Sequence, residues 1–168
     1  MDDDGNDNKK TLERFYSAFA RLDPETMSAC YDPAVTFEDE VFSLQGREET
    51  MAMWRMLCSA VEAKGKDVWR LEWSDVRADG RQGQAHWEAH YRFTATGRMV
   101  HNVIEARFDF SPDGLIVRHH DSFPFWRWAR QALGPAGLAL GWTPFLRAKV
   151  RAQANANLRR FMGAGGAA

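Results

Sequence analysis

Apolar residues at Leu12, Phe15, Phe19 and Leu22 recur at three- and four-residue spacing, which lines up one face of an α-helix, and Thr11 is placed to cap its start. Asp23-Pro24-Glu25 then restarts a helix: Asp accepts from free amides, Pro fits the first turn, and Glu suits the positive helix end. Met27, Cys30 and Tyr31 take its inward face. A short extended run, Val35-Thr36-Phe37-Glu38-Asp39, leads through a loop to Gly46. A third helix follows, with Met51, Trp54, Leu57, Cys58 and Val61 on one stripe and Gly65 at its end.

From residue 68 the period changes to two. Trp69, Leu71 and Trp73 alternate with polar residues until Asp79-Gly80 supplies a hairpin turn. In the next strand Ala85, Trp87, Ala89, Tyr91 and Phe93 share one face, opposite His86, Glu88, His90 and Arg92. Residues 99–110 set Val100, Asn102, Ile104, Ala106, Phe108 and Phe110 against a polar face, and Pro112-Asp113-Gly114 turns into a last strand over 115–123. Helices followed by an antiparallel meander predict an α+β fold.

At 168 residues, 45% hydrophobic, the chain fills one domain with its own core. With 22 basic against 23 acidic residues it carries no overall field that would draw it to nucleic acid. The start, MDDDGNDNKK, has no apolar signal segment; residues 1–10 are expected to be disordered and the protein cytoplasmic. Cys30 and Cys58 are far apart and outside any His/Cys cluster, so they are expected to pack as small apolar groups, with no cofactor or structural metal.

Charge is unevenly spread: residues 118–168 hold eight Arg/Lys against Asp121 alone, so the acidic excess lies in residues 1–117. Over 127–162, amphipathic and basic helices are predicted, opening at Phe125-Trp126-Arg127-Trp128 and broken at Gly134-Pro135 before the apolar GLALGWTPFL. Two roles suit this segment. It either covers the open end of the domain or braces a dimer, pairing with the acidic body, or else it makes a weak membrane-surface contact through Trp and Arg. Residues 163–168 are expected to be a flexible tail.

The segments FYSAFARLDPETMSACYDPAVTFEDE, GREETMAMW and FDFSPDGLIVRHHDSF resemble, in order, the first helices and short strand, the third helix and the final hairpin of the nuclear-transport-factor-2-like superfamily. Ketosteroid isomerases and polyketide cyclases are the most similar branch, over roughly residues 11–126. The resemblance implies a cone-shaped curved antiparallel sheet wrapped around three N-terminal helices, with the C-terminal helical segment as an addition. It also implies a pocket for a small apolar ligand, and pairing as a homodimer through the outer sheet face.

Residue by residue, Asp39 matches the proton-abstracting aspartate of the isomerases, and Tyr31 and Trp54 match pocket aromatics. The oxyanion donors are missing, because Phe15 stands where the donor tyrosine belongs, with Tyr16 beside it, and Ala106 where a protonated aspartic acid belongs. Strand parity, read with that resemblance, puts Trp87, Tyr91, Asn102, His119, Asp121 and Phe123 on the inner face. His119 and Asp121 point the same way and can pair, while Asp39 lies in a wall that includes Phe37.

Two function classes follow. The first is a cofactor-independent isomerase, cyclase or hydrolase using Asp39, with His119 and Asp121, as acid/base. The second is a carrier for a lipid-like ligand in which these groups only orient the guest. Asp39 also fits a plain turn cap ahead of Val41, and the pocket aromatics fit plain core. The outer-face residues His86, Glu88, His90, His101, Glu105 and His120 are read as the polar side of a sheet rather than a metal site.

Overall fold

The computed structural model describes residues 3–165 of the chain, and side chains from residue 5. Helix α1 (Asp3–Ala20) starts well before Thr11, so the expectation of disorder fails for residues 3–10; residues 1 and 2 lie outside the described residues. The cause is tertiary. Asn8 is buried and donates from Nδ2 to the Gly80 carbonyl at 2.9 Å, while Gly5 sits against the Ala78 backbone. Docking on a hairpin thus overrides the poor helix propensity of a polar run. Thr11 lies inside the helix, with its hydroxyl directed at the Asp7 and Gly114 carbonyls.

Asp23 caps α2 (Pro24–Ser28) through the Thr26 amide at 3.1 Å. The chain then enters β1 (Tyr31–Glu38) sooner than its helical spacing suggested, because Tyr31 pairs with Ile116 and the Ile116 amide bonds the Cys30 carbonyl. After β2 (Ser43–Gln45), α3 (Arg47–Lys64) buries Met51, Trp54 and Cys58, with Leu57 39% exposed at the edge of the stripe. Four long strands follow: β3 (Arg70–Asp79), β4 (Gln82–Arg92), β5 (Met99–Phe110) and β6 (Ile116–Ser122).

The six strands form one curved, unclosed sheet in the order β2-β1-β6-β5-β4-β3. Every pairing is antiparallel except β1 with β6, which run parallel. The single irregularity between β5 and β6 falls at Asp109/Phe110, so the alternation from His119 to Phe123 is intact. On the concave side Leu12, Phe15, Tyr16 and Phe19 of α1 and Trp54 of α3 meet Trp87, Ile104 and Phe108 of the sheet. Each large apolar side chain buried there is worth about 1.5–3 kcal/mol. Cys30 and Cys58 are free and buried, and burial pushes both thiols up to about 11.

Three helices close the chain: α4 (Phe125–Ala132), α5 (Pro135–Leu140) and α6 (Pro144–Gly165). The apolar GLALGWTPFL stretch therefore supplies a helix of its own and the start of α6, and the expected flexible tail is helical through Gly165, with 166–168 outside the described residues. α4 lies on β5 and α6 on α3. α5 folds back on α4 so closely that a Cβ at Gly137 would stand 1.8 Å from the Ala129 oxygen, which only glycine permits.

Candidate functional site

A buried chain of polar side chains crosses the aromatic interior. Trp54 Nε1 donates to the Tyr31 hydroxyl at 3.0 Å, and that hydroxyl lies 2.7 Å from His119 Nδ1. His119 Nε2 lies 2.9 Å from Asp121 Oδ1, which also accepts from Trp87 Nε1 at 3.3 Å. The register creates this chain, since Phe37 and His119 are partners across β1 and β6, and Ala106 and Asp121 across β5 and β6. The indole can only donate, so the Tyr31 oxygen accepts from Trp54 and sends its own proton to Nδ1. The imidazole then carries its proton on Nε2 and donates to Oδ1 of Asp121. Burial holds the Tyr31 hydroxyl well above its ordinary range, so it stays a donor. Phe15, Phe37, Trp54 and Phe108 enclose the imidazole at ring-centre distances of 5.6, 5.0, 6.1 and 4.4 Å.

Asp39 follows β1 directly, on the side of Phe37 and opposite the exposed Glu38. Its Oδ1 accepts from the Val41 and Phe42 amides at 2.7 and 2.6 Å, so it does cap a turn. Among the described residues Oδ2 has no hydrogen bond. This carboxyl is raised to about 7 in the balance of burial, which raises it most, the two amides, which pull it down, and the charges of Asp121 and Glu40, which add to the rise. Tyr91 is within electrostatic reach of Asp39, and burial pushes its phenol up to about 12.

The wall at this end is completed by the C-terminal helices. Trp128 Nε1 donates to the Tyr91 hydroxyl at 2.9 Å, and its ring meets Phe93 edge-on at 5.4 Å. Arg147 pairs with Glu40 at 3.3 Å, Arg151 Nε donates to the Glu40 carbonyl, and Asn155 Nδ2 to the Val41 carbonyl. These contacts tie the C-terminal helices to β4 and to the turn after β1. Trp128 was not among the residues singled out; its one signal was its place on the apolar face of an amphipathic helix.

Of the residues singled out, Phe15, Tyr31, Phe37 and Trp54 pack ring against ring in the centre, with Trp87 and Phe123 also buried, while Asp39, Tyr91 and Asn102 are half-buried. Tyr16 stands between Trp73, Trp87 and Phe108, and its hydroxyl is sealed in without a hydrogen-bond partner among the described residues. Burial first, and then the nearby Asp121 charge, hold that phenol well above its ordinary range. Two open hollows lie on the surface, one bordered by Leu22, Cys58 and Phe161 and the other by Ser28, Arg47 and Met51.

On the outer face Glu88, His90 and His101 bring donor atoms within 4.8 Å of one another. These groups already have partners: His101 and His86 both pair with Glu88, and Arg70 meets His90.

An open, cone-like α+β sheet closed by N-terminal helices, with polar groups strung through its aromatic interior, defines a protein of the nuclear-transport-factor-2-like fold. Within it, the chain belongs to the SnoaL-like domain family, whose family model matches residues 12–119. No curated protein matches the sequence. Among solved structures, a candidate polyketide cyclase from Xanthomonas campestris superposes with a TM-score of 0.62 at 20% identity, covering 77% of this chain and 98% of its own. An LEH-like epoxide hydrolase of M. tuberculosis gives 0.60 at 18%, covering 80% and 94%. A candidate ketosteroid isomerase from Kribbella flavida gives 0.56 at 17%, covering 72% and 80%. At these identities the likeness establishes the fold.

Proposed function

We propose that the domain binds a small, largely apolar molecule at the mouth of the cone and acts on it without a cofactor, as an isomerase, cyclase or hydrolase in which Asp39 takes and returns a proton. The observation that carries this reading is the state of Asp39: one oxygen is fixed by two amides, the other has no hydrogen bond among the described residues, and the carboxyl is raised to about 7. Such a group is divided between acid and base near neutrality, which general acid/base transfer favours. Asp121, oriented by His119 and Trp87, is the second carboxylate, and the half-buried Asn102 is a donor available to a guest. Neighbours named for cyclisation, epoxide hydrolysis and isomerisation fit the same demand.

A carrier role is the second reading, favoured by the interior packing of Phe15, Tyr31, Phe37 and Trp54 and by the closure of the mouth through Trp128. Native mass spectrometry of the purified protein, with identification of any copurified molecule, supplies the compound for the deciding test. In an enzyme Asp39→Asn keeps the turn and lowers turnover of that compound by about 10²-fold or more. In a carrier it changes affinity by about 0.5–1.5 kcal/mol and there is no turnover to lose. If Asp39→Asn leaves turnover and affinity alike untouched, the carboxylate is a turn cap and the catalytic reading fails.

A further inference from the structure

The corner between α5 and α6 carries large apolar side chains that cover nothing. Leu138 is 58% exposed, Leu140 44%, Trp142 73% and Phe145 72%, and Trp126 of α4 adds a ring 39% exposed. α4 and α5 meet here: Trp126 Nε1 donates to the Leu138 carbonyl at 3.3 Å, and a Cβ at Gly141 would lie 3.1 Å from the same indole. The corner is firmly based, since Phe125, Trp128, Ala129, Leu146 and Leu158 of the same helices are buried. The contacts with β4 and the turn after β1 are made through Trp128, Arg147 and Arg151 of these helices. The exposed tip is therefore left over from those contacts.

Its charge has one sign. No Asp or Glu follows Asp121, while Arg127 and Arg130 of α4 and Lys149 in the first turns of α6 are exposed, with Arg159 and Arg160 about 20 Å beyond Phe145 along α6. Arg130 lies over the Trp126 ring at 5.1 Å, and Lys149 stands one helical turn beyond Phe145. Arg98 reaches the base of the corner, with its guanidinium against Gly134 and Nε bonded to the Gln131 carbonyl at 2.9 Å. An exposed tip of Trp, Phe and Leu with Arg130 and Lys149 beside it matches a bilayer's acyl-headgroup boundary, where indoles settle and each nearby cation adds about 1 kcal/mol against anionic lipid. Among the described residues no helix is long and apolar enough to cross a membrane.

We propose that this corner docks the protein on the surface of anionic membranes, with Trp142 and Phe145 entering the interface and the arginines and lysines meeting the headgroups. An exposed tip of this kind suits a deformable lipid surface better than a flat, self-complementary face between two copies. The proposal is independent of what the cone binds.

The test is flotation of the full chain with phosphatidylcholine vesicles containing phosphatidylglycerol, against phosphatidylcholine alone. The protein is expected to float with the anionic vesicles, to be released by salt, and to shift its tryptophan emission to the blue. Combined Trp142→Ser and Phe145→Ser substitution is expected to weaken partitioning roughly tenfold or more without lowering Tm, because both side chains are exposed. Absence of flotation with either vesicle overturns the proposal. So does a concentration-dependent dimer abolished by the double substitution without vesicle binding, which assigns the corner to a second copy.

Discussion

Arg147 Nη1 lies 3.3 Å from Glu40 Oε2, and this ion pair ties the C-terminal helix α6 to the residue beside Asp39. The C-terminal extension is thereby coupled to the turn that holds the proposed acid/base group. The pair is half-exposed, so on its own it is worth less than about 1 kcal/mol. Arg147→Ala is accordingly expected to leave Tm nearly unchanged while amide exchange at Val41 and Phe42 quickens. Unaltered exchange there means that the Arg151 and Asn155 bonds hold the turn without help.

Asp39 gives the protein a distinctive stability profile. Its carboxyl is raised from 3.8 to about 7 in the fold, first by burial. Between these limits the folded chain holds a proton that the unfolded chain has released, so stability contributed by this group is full below about pH 4 and falls as pH rises toward 7. Urea midpoints across pH 4–8 should therefore decline less steeply for Asp39→Asn than for the native chain. Comparing the two cancels the other titrating groups, and parallel curves would place Asp39 in ordinary solvent.

Tyr31→Phe removes one oxygen and strands two buried groups, the Trp54 indole N–H and His119 Nδ1. An unsatisfied buried group costs about 1–3 kcal/mol, so the urea midpoint should fall by that order with the slope unchanged. Nitrogen-15 shifts of His119 are expected to move as Nδ1 loses its donor. An unchanged spectrum would show that the hydroxyl is not the group setting the tautomer.

Gly137→Ala and Gly163→Ala make a matched pair. At Gly137 a methyl would meet the Ala129 carbonyl oxygen at 1.8 Å, whereas at Gly163 nothing lies within 4 Å. The first should displace α5 and destabilise by about 1–3 kcal/mol or more, read as lost exchange protection over 135–141. The second should be neutral or gain up to about 1 kcal/mol from helix propensity. Equal effects would deny the close α4–α5 contact.

The sequence by itself determined the main helices and long strands and their faces, but not the first turns of α1, the start of β1 at Tyr31, or β2. Spacings of three and four put Phe15, Phe19 and Trp54 on buried helix faces, and alternation put Trp87, His119 and Asp121 on one side of the sheet, because these periods follow from backbone geometry alone. The same alternation placed Asp39 with Phe37. Partners were beyond its reach. Tyr31 finds His119 across 88 positions, Trp128 reaches Tyr91 from a separate helix, and the polar N-terminal run becomes helix only where Asn8 docks on the Gly80 turn. Strand register and helix docking set such contacts, and both are decided by how the whole core packs. Tertiary packing also decided that Asp39 is at once a turn cap and a carboxyl raised to about 7, because burial and hydrogen bonding act on the same group from neighbours distant in the chain.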